Sequence, residues 1–295
     1  MKSLMGFVVM AALGLAPAAA QAQAAAVVEG VQMPAWVARA DSRVVPLAPG
    51  MELKAGDELR TGAGSRVLVK LAEGSLVKLG ENGTMKLAEL QPAQDLFKGA
   101  LNVLRGAFRF TTQRIGAHRK RDISISVAQV TAGIRGTDLW GKSVPEREIV
   151  CLIEGRIEVG APGEAAVTMD QPRQFYRREG GKTQPVGFVE PAQLGEWAKE
   201  TEIEAGKGAA RAGGRWKVEL AAPDNQTAAL AVYDQLRAAG YAAQIRPVKP
   251  AEPKEGVAWI YTVRIVGLPS KAEAAALAGQ LKGKHGAAAE PKISM

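Results

Sequence analysis

The stretch VTAGIRGTDLWG, residues 130–141, sets two glycines around Ile134 and Arg135 and follows them with a threonine, an aspartate and a tryptophan. Glycine-rich turns of this kind can cradle a phosphate or clamp a nucleic-acid backbone. A phosphate-binding loop needs a lysine directly after its last glycine, and here threonine and aspartate follow. A backbone-clamping GXXG loop lies between helices, and the flanking residues here read as strands. What remains is a tight β-corner, in which the glycines take backbone conformations closed to other residues and Trp140 packs beneath.

Groups able to react are scarce elsewhere. His118 and His285 are the only histidines and stand far apart, with no cysteine or histidine nearby to complete a transition-metal site. Cys151, the single cysteine, sits in the apolar run REIVCLIEG, so it reads as a buried strand residue. No serine occupies a nucleophile elbow, and no histidine belongs to a triad arrangement. Carboxylates are plentiful, but sequence cannot place two of them across a glycosidic bond. The expectation is a non-enzymatic protein with no cofactor, no metal and no catalytic residue. The basic run RIGAHRKRD (114–122) reads as a solvated loop; the other use for it is a patch for anionic polymers.

The elements that must position any binding residues fall into two units, as 295 residues suggest at roughly 100–200 per domain. Between Val27 and Val189 apolar residues alternate with others: Val67, Val69 and Leu71, then Val77 and Leu79, then Met85 and Leu87. Gly64, Gly74 and Gly83 fall between these runs, which predicts an all-β sandwich or roll of short strands over 27–190. Residues 191–214 change character. Leu194, Trp197 and Ala198 have helical spacing, and GKGAARAGGR (206–215) follows, so a short helix and a flexible linker are expected. Residues 215–295 then alternate strand and helix signals in the order β-α-β-β-α-β, with Ser270 and Glu273 forming a capping box at the second helix.

Lys2, the apolar run Leu4–Ala16 and the small residues Ala20 and Ala22 have the form of a cleavable export signal over 1–22. That run is shorter than the ~20 residues a spanning helix needs, so the mature protein is expected in the periplasm without a transmembrane segment. The net charge of +8 favours anionic partners, and export takes nucleic acid off the list.

GMELKAGDELRTGAGSRVLVKLAEGSLVKLGENGTMKL (50–87), TAGIRGTDLWG and VCLIEGRIEV resemble, in order, the three motifs of a FecR domain. The resemblance covers about 45–190. FecR regulators carry a cytoplasmic anti-sigma segment and a spanning helix before this domain, so the resemblance implies the fold and a protein- or ligand-interaction role, not transmembrane signalling. WKVELAA, AALAVYDQLRAAGYAAQI and YTVRIVGLPSKAEAAALAGQL resemble the segments of a SPOR domain. That resemblance implies a ferredoxin-like α+β fold whose open sheet face binds peptidoglycan, with preference for glycan strands stripped of stem peptides.

Strand alternation says which residues that face would carry. Trp216, Val218 and Leu220, with Tyr261, Val263 and Ile265, should face the helices. Lys217, Glu219, Gln244, Arg246, Ile260, Thr262 and Arg264 should face outward. Polar groups there suit sugar hydroxyls, and Ile260 can lie against a ring. Glu219 stands where the family usually has glutamine, and Thr262 where arginine is common. The expected function is a peptidoglycan tether, acting chiefly at division sites, that presents the β-domain to an envelope protein or a ligand. The alternative is an accessory subunit of an envelope signalling or secretion complex whose SPOR domain contacts protein.

Overall fold

The computed structural model describes residues 24–93, 96–112, 120–252 and 255–295. The expected export segment 1–22, His118 and most of the basic run lie outside the described residues.

The strands from Ala26 to Arg211 join into one continuous sheet. Its first part follows the period-two pattern, with Val67, Val69, Leu71, Val77, Leu79, Met85 and Leu87 all buried in one core. Beyond residue 96 the strands are longer than the early turn spacing suggests: Leu96–Thr111, Val130–Val144 and Arg147–Gly160. Each long strand serves two neighbourhoods. The first half of Leu96–Thr111 pairs in parallel with Lys120–Val127, while its second half pairs with Leu76–Leu79 and Val130–Val144.

The glycine-bracketed stretch is the place where Val130–Val144 changes neighbours. Its first residues pair with Lys120–Val127 and its last with residues 106–111. Between them, against Arg147–Gly160, the register steps from Arg135↔Arg156 to Asp138↔Glu154, so Gly136 and Thr137 stand opposite Gly155 alone. This is a β-bulge, with Gly136 at φ 62° and Gly155 at φ 95°. A Cβ on Gly155 would lie 2.5 Å from the Gly136 carbonyl oxygen, a distance no side chain tolerates. Asp138 then grips Arg109 through both carboxylate oxygens at 2.9 and 2.7 Å, and this hydrogen bonding holds the Arg109 guanidinium above its ordinary pKa.

Helix α1 (Pro191–Lys199) packs on the outer side of the sheet. Trp197 stacks on the fully buried Trp140 with ring centroids 4.7 Å apart, and Phe175 meets Trp197 edge-on. Cys151 belongs to the same satellite cluster, where burial pushes its thiol pKa up to about 12.

The second sheet has the order Gln244–Val248, Ile260–Leu268, Trp216–Ala221, Lys292–Ser294, every pairing antiparallel. Helices α2 (Gln226–Ala238) and α3 (Lys271–Leu281) complete the expected βαββαβ order. Val218, Leu220, Val263 and Ile265 share the core with Leu236, Leu277 and Leu281 of these helices. Asn225 caps α2, its side chain accepting from Ala228 N–H at 2.8 Å, and Ser270 caps α3 in the same way.

Glu273 departs from the capping box read in the sequence. Its carboxylate accepts from the backbone N–H groups of Gly206, Gly208 and Ala209 at 2.7, 2.7 and 3.0 Å. Residues 206–214, expected as a flexible linker, are thereby fastened, and Ala209–Arg211 pairs with Gly30–Gln32 as a further strand of the first sheet. Glycine content suggested mobility, but Gly208 serves close approach, where a Cβ would sit 3.0 Å from the Leu277 backbone, and Gly206 and Gly213 supply positive φ angles of 76° and 80°. The two units also touch where Ala35 N–H donates to Gly240 carbonyl at 3.1 Å.

Candidate functional site

The second sheet leaves the face opposite its helices uncovered by either of them. Cross-strand register sets four residues in one row on it: Lys292, Glu219, Arg264 and Gln244, one from each strand. With strands about 4.8 Å apart the row spans about 14 Å. Arg246 pairs with Thr262 in the neighbouring row, and Ile260 opens the central strand.

The candidate residues divide by accessibility. Gln244 and Arg246 are exposed, while Lys217, Glu219, Ile260 and Arg264 are partly accessible. Thr262 corrects the expectation of an outward, available hydroxyl, because only 6% of it is accessible. It is a short side chain on a strand with neighbours on both sides. Lys217 is engaged, donating from Nζ to the Met295 backbone oxygen at 2.5 Å. Arg264 Nε is buried without a hydrogen-bond partner, while the residue as a whole is partly accessible.

Chemically, the row offers alternating cation, carboxylate, cation and carboxamide. These groups donate to and accept from hydroxyls and amides, and among the described residues no ion pair joins any two of them. Nothing in the row resembles a proton-transfer pair. Among the described residues no group of three metal-ligating side chains occurs.

Sequence reading missed three residues beside this face. Lys292 lies on the short last strand, where alternation over three residues gives no register. Arg211 fell in the expected flexible linker and Arg215 at the start of the second unit, yet with Lys217 and Gln244 they line a groove of about 200 Å³ between the two units. The glycine-alanine-arginine composition carried no sign of that placement.

The first unit has a concavity of its own, about 470 Å³, on which Trp36, Arg60, Thr84 and Arg105 follow one another across four strands. Arg60 is paired with Glu58 at 2.7 Å.

Comparison with known proteins assigns both units. Residues 57–158 match the family model described as FecR protein, and residues 212–290 match the SPOR domain model. Both are families of non-catalytic binding or regulatory domains, and the SPOR match implies peptidoglycan binding. No curated protein matches the chain. Two crystal structures of a candidate anti-sigma factor from Parabacteroides distasonis, at 1.65 and 2.50 Å resolution, are similar at 14% identity and a TM-score of 0.40 each. The alignments cover 77% and 76% of this chain and 90% and 89% of those chains, and at that score they carry no argument about fold or role. No helix among the described residues is long and apolar enough to cross a membrane.

Proposed function

We propose that this chain, which carries a FecR domain and a SPOR domain, is a non-catalytic periplasmic tether. Residues 1–22 direct export. The second unit (215–295) binds glycan strands stripped of stem peptides, and the first (27–190) presents a protein- or ligand-binding surface at the places where such strands accumulate, chiefly division sites. The single observation that carries this reading is the four-strand row Lys292–Glu219–Arg264–Gln244 on the face left open by the helices. Lys217, Arg246 and Ile260 flank it, with Thr262 contributing shape rather than a free hydroxyl.

Binding here is localisation. The fastened joint gives it a particular form: because Glu273 holds residues 206–209, the β-domain is carried at a set orientation to the wall instead of searching on a loose leash.

A fluorescent fusion of the full chain in dividing cells tests this directly. Enrichment at division sites that is lost in an Arg264→Ala, Ile260→Ala variant supports the tether. Uniform peripheral fluorescence, unchanged in that variant, contradicts it and favours an accessory subunit held by protein contacts.

A further inference from the structure

The groove between the units lies directly beside the proposed glycan face and shares Lys217 and Gln244 with it. Its walls are Ala48 and Pro49 from the first unit and Val266 and Gly267 from the second, with Arg211 and Arg215 on the segment that passes between them. Carboxylates neutralise several arginines of this chain, but not these two. Arg39, Arg109, Arg121 and Arg178 each have a carboxylate within 4.0 Å, whereas Arg211 and Arg215 have none among the described residues. Two cations without counter-charge, held close to one another along the chain, raise the local potential for an anion.

The segment that bears them is not free to move away. The Glu273 carboxylate fastens its start, and Arg211 closes the strand pairing with Gly30. Gly214 passes so close to the second sheet that a Cβ there would lie 2.1 Å from the Gly267 carbonyl oxygen. The backbone that carries the arginines is therefore in place before any ligand arrives, and binding has only their side chains to order.

We infer that this groove is a carboxylate subsite of the glycan face, in which Arg211 and Arg215 take the free lactyl carboxylate of a muramic acid residue. The inference rests on the proposed glycan reading. Removing a stem peptide hydrolyses the amide that joins it to the lactyl ether, so each stripped residue gains a carboxylate that the intact wall lacks at that point. The site matches that group in two ways. Guanidinium groups take carboxylates through paired hydrogen bonds, and the apolar wall of Ala48, Pro49 and Val266 suits the methyl of a lactyl ether. Preference for stripped strands thus becomes recognition of a charge that stripping creates, besides relief from the bulk of the peptide.

The test is co-sedimentation of the full chain with three preparations of sacculi: intact, amidase-treated, and amidase-treated with the freed carboxylates converted to neutral methylamides. Wild-type protein is expected to bind the neutralised strands about tenfold more weakly than the free acid, as loss of hydrogen bonds to a charged group implies. An Arg211→Gln, Arg215→Gln variant is expected to bind both stripped preparations at that weaker level. The neutralised-ligand arm uses only wild-type protein, so it decides the matter even if the variant folds poorly. Wild-type binding that favours amidase-treated strands but ignores neutralisation overturns the carboxylate subsite and leaves the glycan face standing. Wild-type binding to none of the three preparations overturns both.

Discussion

Arg264 and Glu219 are register partners on the two middle strands of the second sheet, yet no ion pair among the described residues joins them. Gln244 faces Arg264 from the other side. Opposite charges so placed contribute only about 0.2–1 kcal/mol even when they touch, so the pair is a weak source of stability. Its consequence is for recognition: the guanidinium keeps its terminal N–H groups for a ligand, its Nε being buried, and the carboxylate beside it offers acceptors only.

Replacing that carboxylate with an amide adds a donor and removes a charge. Glu219→Gln is expected to tighten binding to stripped glycan several-fold, while the unfolding free energy changes by less than about 0.5 kcal/mol because no ion pair is lost. Sedimentation isotherms and denaturant unfolding of the same preparation measure the two effects.

Glu273 is the fastening between the units. In Glu273→Ala the N–H groups of Gly206, Gly208 and Ala209 lose their acceptor, two of them at buried positions. The expected cost is about 3 kcal/mol, summing roughly 1 kcal/mol for each orphaned donor. Limited proteolysis is expected to cut the variant near residues 206–208, where the wild type resists.

The bulge at the β-corner gives a contrast between two glycines. At Gly155 a methyl group meets the Gly136 carbonyl oxygen and must also adopt φ 95°, so Gly155→Ala is expected to cost more than about 3 kcal/mol. At Gly136 nothing lies within 4 Å of an added Cβ, and only the left-handed backbone opposes it. Gly136→Ala is expected to cost about 1 kcal/mol. Equal costs, measured by chemical denaturation, would contradict the close-approach account.

Cys151 is fully buried and its thiol pKa is raised to about 12 by desolvation. A thiol reagent at pH 8 is expected to leave the folded protein untouched and to label it fully in denaturant. The linkage has a definite sign. The folded state keeps its proton to higher pH than the unfolded chain, whose cysteine titrates near about 8.5. Stability is therefore unaffected below that value and falls as pH rises from there towards 12.

Much of this architecture was legible because alternation is a local signal. Val67, Val69 and Leu71 announce a strand without knowledge of its partners, and the helix signals around Leu236 and Ser270 place the βαββαβ order. The outward residues Glu219, Gln244 and Arg264 followed from the same arithmetic. What was not legible depends on contacts distant in sequence. Thr262 is buried by its position in the middle of the sheet, which alternation does not report. Glu273 satisfies a capping pattern locally but bonds to residues about 65 positions earlier. Arg211 and Arg215 look like linker residues because glycine and alanine surround them, and only the strand pairing with Gly30 shows that the segment is held.

The most direct measurement of the central claim is co-sedimentation of the full chain with sacculi before and after amidase treatment, with Arg264→Ala, Ile260→Ala as the comparison. Binding that rises after treatment and falls by at least about tenfold in the double variant, with its melting temperature unchanged, is the predicted result. Binding that is absent from both preparations, or that is equal in wild type and variant, would contradict a glycan-reading sheet face.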